Sequence, residues 1–562
     1  MRKFFGKIYK QIRRFDNYTN KYLKISNNIE LPSIAYTNWG MHLADNKNFK
    51  SAIEKLETAM LMHGQNPKPC ISLGVIYAKL KKYDKAAEVL LEAIKRDSQN
   101  AYAYSVLSSV YVAEDKFDEA EEALKKGLKL APSDSEIYLN YGIFYAKTQK
   151  KQKAIEMFKK SKFYNPANLH TLFLLGVMYF ETDKITEAFN EFNQIEKINP
   201  QYKKLSYYLA LCYQKERNYY AVMEYAQKAL DDEPDNPAVY VLLAHTYVTL
   251  DRKDEVLDIF RKGEEHNIDD FEFFLSEGIV YTKYNEIQNA KKAVEKALLL
   301  HPEDTNALYR MGVCYRKEGD IEKAVEYYNR AIISDPNNAY ALGDLGVIKY
   351  ENGNYNAAIQ NFFEAINITS EKNYLYFYIA NSYYKMGRHK KSLEFYEKTL
   401  EYYPAHTEAM INCTLCLLDM NNTKEALRKI RSAYQIDRNS EKIILIYALT
   451  DFKCGIYSDA IEKTDIILSK NPNHQGAKLI KVQTLINLKK PQEAVEILNS
   501  LETEVKNSDL FIFLSYLSYK ILVEENPSHY NESMLNLYSK KTDNIDYEEL
   551  NKNGLITYVT KQ

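Results

Sequence analysis

Nine residues between 309 and 384 have the types and spacing to grip another molecule: Tyr309 and Arg316, then Tyr340, Gly343 and Tyr350, then Tyr374, Phe377, Asn381 and Tyr384. Rings beside a guanidinium suit the anchor side chain or the acidic group of a bound segment, and Gly343 would leave room for it. The same rings have a competing structural use, because tyrosine is plentiful in this chain (49 residues) and can fill the space between neighbouring helices. A sparser set lies upstream: His170, Phe173, Phe180, Lys204, Tyr207, Gln214 and His245. Covalent and metal chemistry have little to work with. There is no phosphate-binding glycine loop ending in Lys-Ser or Lys-Thr, no HExxH pair, no GxSxG elbow and no GxGxxG turn. Cys413-x-x-Cys416 has no second Cys or His pair near it in sequence, so the two thiols are expected to pack as small hydrophobes. No histidine has a partner four residues away, which removes a helix-borne metal pair. No catalytic residue, cofactor or metal site is expected.

The elements that must position these residues repeat. Counting from Ser33 in steps of 34 reaches Ser508 without an insertion, which makes fourteen units. Within each unit, apolar residues at positions 4, 7, 8 and 11, then 20, 24 and 27, have helical spacing and predict two helices. Turn residues at positions 15 and 16, such as Gly319-Asp320, Gly353-Asn354, Gly387 and Gly455, join them. Ten units end in Asn, Asp or Ser, which predicts an N-cap before each new helix. Pro132, Pro166, Pro200, Pro234, Pro302, Pro336, Pro404 and Pro472 stop the preceding one. Position 8 is Gly in seven units and position 20 is Ala in eleven. Gly inside a helix costs about 1 kcal/mol against Ala, so its recurrence predicts close approach of two backbones there. At roughly 100° per residue, positions 2, 5, 9 and 12 lie about 130° around from the buried stripe. The nine residues above all occupy that free face.

Composition sets the remaining bounds. Lys plus Arg is 75 and Asp plus Glu is 76, so the whole-chain charge gives no reason to expect nucleic acid. Six scattered cysteines predict no disulfide framework, and no apolar run is long enough to span a membrane. Residues 1–15 place Phe4, Phe5, Ile8, Ile12 and Phe15 at helical spacing among Arg2, Lys3, Lys7, Lys10, Arg13 and Arg14, a basic amphipathic helix. It would either cap the first repeat or lie on an anionic membrane surface.

The pattern Trp or Leu at 4 and 7, Gly or Ala at 8, Tyr at 11, Ala at 20, Phe, Leu or Tyr at 24, Ala at 27 and Pro at 32 resembles the tetratricopeptide repeat, over residues 33–508. The resemblance implies an all-α, right-handed solenoid of about fourteen helix hairpins whose first helices line an inner groove. That groove would take a protein or peptide segment of another protein. The expected organisation is an N-terminal helix and linker (1–32), the array (33–508), and a capping helix with a polar tail (509–562), in which 554–559 could be a short extended piece. The expected role is a non-enzymatic, cytoplasmic scaffold or adaptor, the alternative a peripheral membrane adaptor held through residues 1–15. Repeats 12 to 14 match the pattern least well, so the superhelix is expected to be distorted or looser there. One subclass of the family grips a C-terminal carboxylate; Asn381, Asn412 and Lys442 match that set, but Phe377 and Ile446 replace its Lys and Arg, so such a clamp is not expected.

Overall fold

A computed structural model describes residues 30–62, 65–541 and 550. Among these residues there are 31 helices and no strand. The basic segment 1–15 and the stretch 554–559 lie outside them. The chain separates between Phe273 and Phe274, inside the helix Phe271–Lys283, into two compact bodies. Each body is a solenoid of helical hairpins. No helix among the described residues is long and apolar enough to cross a membrane.

Helix starts follow the capping residues. All ten expected caps accept a backbone N–H at the next helix: Asn66, Asn100, Asp134, Asn168, Asn236, Asp270, Asp304, Asn338, Ser440 and Ser508. Where position 34 is Tyr202 the cap is missing, and the next helix starts late, at Leu205, after Lys204 in the left-handed region.

The hairpin turn is more uniform than its sequence. In every one of the fourteen repeats the residue at position 15 has positive φ, from Lys47 (59°) to Lys489 (55°). Glycine takes this conformation without strain at Gly319, Gly353, Gly387 and Gly455. A residue with a Cβ loses about 1–2 kcal/mol there, whereas Gly returns about 0.5–1 kcal/mol through its freer unfolded chain. Arg217→Gly, at φ 59°, is therefore expected to stabilise by about 0.5–1 kcal/mol, measured as a rise in the urea midpoint.

The glycines at position 8 have a different reason from the one expected. What approaches them is chiefly the large side chain at position 24 of the same hairpin, not a second backbone. A Cβ at Gly142, Gly176 or Gly346 would lie 2.3–2.6 Å from the rings of Phe158, Phe192 and Phe362. At Gly40, Gly278 and Gly312 the backbone carbonyl of Ala52, Ala290 or Ala324, at position 20, stands behind the side chain at 3.1–3.4 Å. Position 8 is a socket, and the residue at 24 fills it.

Positions 11 and 23 also face each other across the hairpin. Tyr213 stacks on Tyr225 (5.3 Å), Tyr315 on Tyr327 (5.4 Å) and Tyr383 on Phe395 (5.7 Å). Where position 11 departs from tyrosine, its partner differs with it. Lys349 Nζ donates to Asn361 Oδ1 at 3.0 Å, and Lys463 Nζ lies 2.7 Å from Asp451 Oδ2.

The last repeats overturn the expectation of looseness. One continuous core runs from Met410 through Ile443, Leu449, Leu479 and Leu485 to Leu514. Val482, which replaces the small residue, is fully buried within it. The helix Gln475–Asn487 is covered on nearly all sides, because the hairpin formed by Asp509–Glu525 and His529–Ser539 follows the fourteenth repeat. Aliphatic residues outside the repeat pattern supply the packing that the pattern lacks.

Candidate partner-binding cleft

The free faces of successive first helices open a cleft of about 870 Å³ in the C-terminal body. Its walls come from Ala339–Glu351, Asn373–Lys385, Thr407–Asp419 and Glu441–Lys453. Four of the nine candidate residues line it: Tyr350, Phe377, Asn381 and Tyr384. Beside them are Ile446, weighed only as the replacement for a clamp arginine, and Ile411, Leu415 and Leu445, which sequence reasoning missed. The available signal was aliphatic residues at positions 5 and 9 in repeats 12 and 13, passed over in favour of the tyrosine-rich repeats.

Charges in the cleft balance in number, Lys385 and Lys442 against Glu408 and Glu441. Lys442 Nζ is 3.2 Å from Glu408, and His474 Nε2 is 3.3 Å from Glu441. Lys385, at the lining, has no ion pair among the described residues. The amides are used internally as well: Asn381 Oδ1 accepts from Tyr396 Oη (2.6 Å) and Asn412 Nδ2 (3.1 Å). All five positions weighed for a carboxylate clamp line the cleft, but Phe377 and Ile446 put apolar groups where the clamp has its Lys and Arg, and Glu408 occupies Lys442.

The other candidates meet the neighbouring repeat. Tyr309 Oη donates to Asp344 Oδ2 at 3.1 Å, Tyr328 Oη to the same oxygen at 3.3 Å, and Arg316 bridges Asp344 (3.4 Å) and Glu351 (3.1 Å). Arg316 is thus neutralised within the chain rather than held ready for a bound acid. Burial, then the Asp344 charge, pushes the Tyr309 and Tyr328 phenols well above their ordinary value. The room expected over Gly343 is taken by the Tyr374 hydroxyl, 2.6 Å from where a Cβ would stand. Burial and then Asp344 raise that phenol to about 12. Tyr340 is exposed, its ring 6.0 Å from Tyr309. At the cleft, Tyr384 Oη donates to Asp419 at 2.9 Å. Upstream, Phe173 and Phe180 pack edge-on against Tyr208, between the fifth and sixth repeats.

Two helices bordering this region start from histidine caps. His406 Nδ1 accepts from Ala409 N (3.2 Å) while its ring stacks on Phe377 (4.9 Å), and His474 Nδ1 accepts from Ala477 N (3.1 Å). Only an unprotonated ring nitrogen can accept, so at His474 the proton sits on Nε2, facing Glu441. His474→Ala is expected to lose about 1 kcal/mol and His474→Asn to keep most of it, read as hydrogen exchange in Gln475–Asn487.

The thiols of the Cys-x-x-Cys pair are packed. Burial pushes Cys413 up to about 12 and Cys416 to about 11, and Cys416 Sγ donates to the His389 carbonyl at 3.1 Å. Among the described residues no three metal-ligating side chains are grouped.

Family models match along both bodies. The models described as "Tetratricopeptide repeat" match residues 43–110, 305–338, 327–360 and 374–406. "Cytochrome c-type biogenesis protein H TPR domain" matches 89–205, and "Anaphase-promoting complex, cyclosome, subunit 3" matches 195–263. No curated protein matches the chain. Among solved structures, a chain of the APC/C hetero-tetramer Cut9–Hcn1 is 14% identical with a TM-score of 0.44, covering 92% of this chain and 98% of that one. PilF of Pseudomonas aeruginosa is 19% identical over 37% of this chain and 94% of its own, with a TM-score of 0.34. A tetratricopeptide repeat protein of Parabacteroides merdae is 15% identical over 44% and 98%, with a TM-score of 0.36. At these identities and scores nothing further follows from them.

Proposed function

Since the chain belongs to the tetratricopeptide repeat family, we propose that it is a protein-interaction scaffold that holds an apolar, uncharged segment of a partner in the cleft of repeats 10 to 13. The carrying observation is the lining itself. Ile411, Leu415, Leu445 and Ile446 stand beside Tyr350, Phe377 and Tyr384, and the two lysines of the lining, Lys385 and Lys442, balance Glu408 and Glu441 in number. A concave apolar surface with a few polar groups is the usual form of a binding site. Each buried Å² of apolar surface contributes about 25 cal/mol, and a contact of this kind is little screened by salt.

Panning a random peptide library against the full chain tests the proposal. The expected ligands are rich in apolar residues, remain bound at high salt, and are lost by Tyr350→Ala/Phe377→Ala at a temperature where the variant keeps its helical circular dichroism. Enrichment of acidic or C-terminal carboxylate-dependent peptides, or equal binding by the variant, would overturn it.

A further inference from the structure

The outer helix of the fourth repeat, Lys151–Tyr164, differs from its counterparts in the N-terminal body. Residues 147–162 hold seven lysines and one glutamate, in a chain whose formal net charge is −1. Elsewhere in this body several outer-helix cations are neutralised along their own helix: Arg96 by Glu92, Lys125 by Glu121, Lys126 by Glu122, Lys228 by Glu224 and Lys262 by Asp258. In the fourth repeat only Lys151 (to Glu181) and Lys162 (to Glu191) form ion pairs among the described residues. Lys147, Lys150, Lys153, Lys159 and Lys160 are exposed and unpaired, and Glu156 lies within ion-pair distance of none of them.

Rings support these cations instead. Lys153 lies over Tyr145 (5.6 Å), Lys159 over Tyr179 (5.7 Å) and Lys160 over Tyr138 (5.6 Å). Tyr138 stacks on Tyr164 (5.5 Å), and Tyr164 meets Phe163 edge to face (5.2 Å). Phe163 is 78% exposed, an apolar ring at the end of a cationic surface. A partner that fits must bring negative charge and one apolar side chain together.

We propose that this face docks an acidic segment of a partner protein, its carboxylates on Lys153, Lys159 and Lys160 and an apolar residue on Phe163. A nucleic acid draws on a longer track of free cations. Here the adjoining outer helix already pairs Lys125 and Lys126 with its own glutamates. A membrane surface needs a broad apolar face, and here Phe163 and Tyr164 are the exposed large apolar residues. The site belongs to the N-terminal body and does not depend on the cleft proposed above.

Fluorescence anisotropy on the full chain tests this with a labelled peptide of aspartates and glutamates around a central phenylalanine, and its Asn/Gln twin. The acidic peptide should bind, more weakly as salt rises, and the twin should not. Lys153→Gln/Lys159→Gln/Lys160→Gln should weaken binding about tenfold, as three exposed charge contacts are removed, while Lys228→Gln/Lys262→Gln should leave it unchanged. Phe163→Ser should weaken binding without altering its salt dependence. Equal binding of the twin peptide, no loss in the triple variant, or tighter binding to phosphatidylserine vesicles or oligothymidine would overturn the proposal.

Discussion

Replacing Lys463 by methionine should destabilise the thirteenth repeat by about 3–5 kcal/mol, because it strands a carboxylate in the interior. The Asp451 side chain is 1% exposed, and Lys463 Nζ stands 2.7 Å from it. The ammonium is held from the other side by the Tyr447 ring at 4.1 Å, whose hydroxyl accepts from Arg431 Nε at 3.1 Å. Burial raises the Asp451 carboxyl, and Lys463 pulls it back down. Without Lys463, burial and the Asp459 charge raise it against Arg431 alone. A carboxyl raised in the folded state favours folding below its unfolded value and loses that contribution as pH rises, so the damage should be largest at neutral pH and shrink in acid. The double variant Asp451→Tyr/Lys463→Tyr would recreate the stack of Tyr315 on Tyr327 and should stand within about 1 kcal/mol of the original, or above it. Hydrogen exchange in Glu441–Lys453 and Tyr457–Lys470 reads the loss locally, as suits an array whose repeats open one by one. A loss below about 1 kcal/mol in the single variant, well short of the cost of stranding a buried charge, would remove the ion pair from the account.

Gly312→Leu should cost about 1–3 kcal/mol by overpacking, towards the upper end. A Cβ at Gly312 would stand 2.6 Å from the Tyr328 ring. That ring cannot swing aside without loss: it is fully buried, its hydroxyl donates to Asp344, and it packs on Tyr309. Alanine is the less decisive test, since Ala380 already occupies position 8 in a repeat whose position 24 is Tyr396. Leucine adds a branched side chain to the socket. An unchanged thermal midpoint would mean that the hairpin can open there, and that Gly312 has another reason.

How far the sequence could be read depended on whether a feature is local. The caps were legible because a helix N-terminus needs an acceptor within three residues, and Asn100, Asp304 and Ser440 supply one wherever they stand. The two histidine caps were not, because a ring nitrogen takes that role only when the backbone presents an N–H to it. The cleft was half legible. The helical wheel placed Tyr350, Phe377, Asn381 and Tyr384 on the lining face, yet gave the same face to Tyr309 and Arg316.

The difference between those two groups lies in the next repeat. Tyr309 to Asp344 and Arg316 to Glu351 are each 35 residues apart, one repeat plus one residue. A single repeat specifies its own hairpin, since positions 8 and 24, or 11 and 23, are brought together by a turn of fixed form. The amino-acid sequence by itself determined that unit, its 34-residue spacing and its helix ends. Tertiary structure alone decided which outward side chains are consumed by the following repeat and which are left to line a cleft, because a residue's direction on a helix does not say what stands opposite.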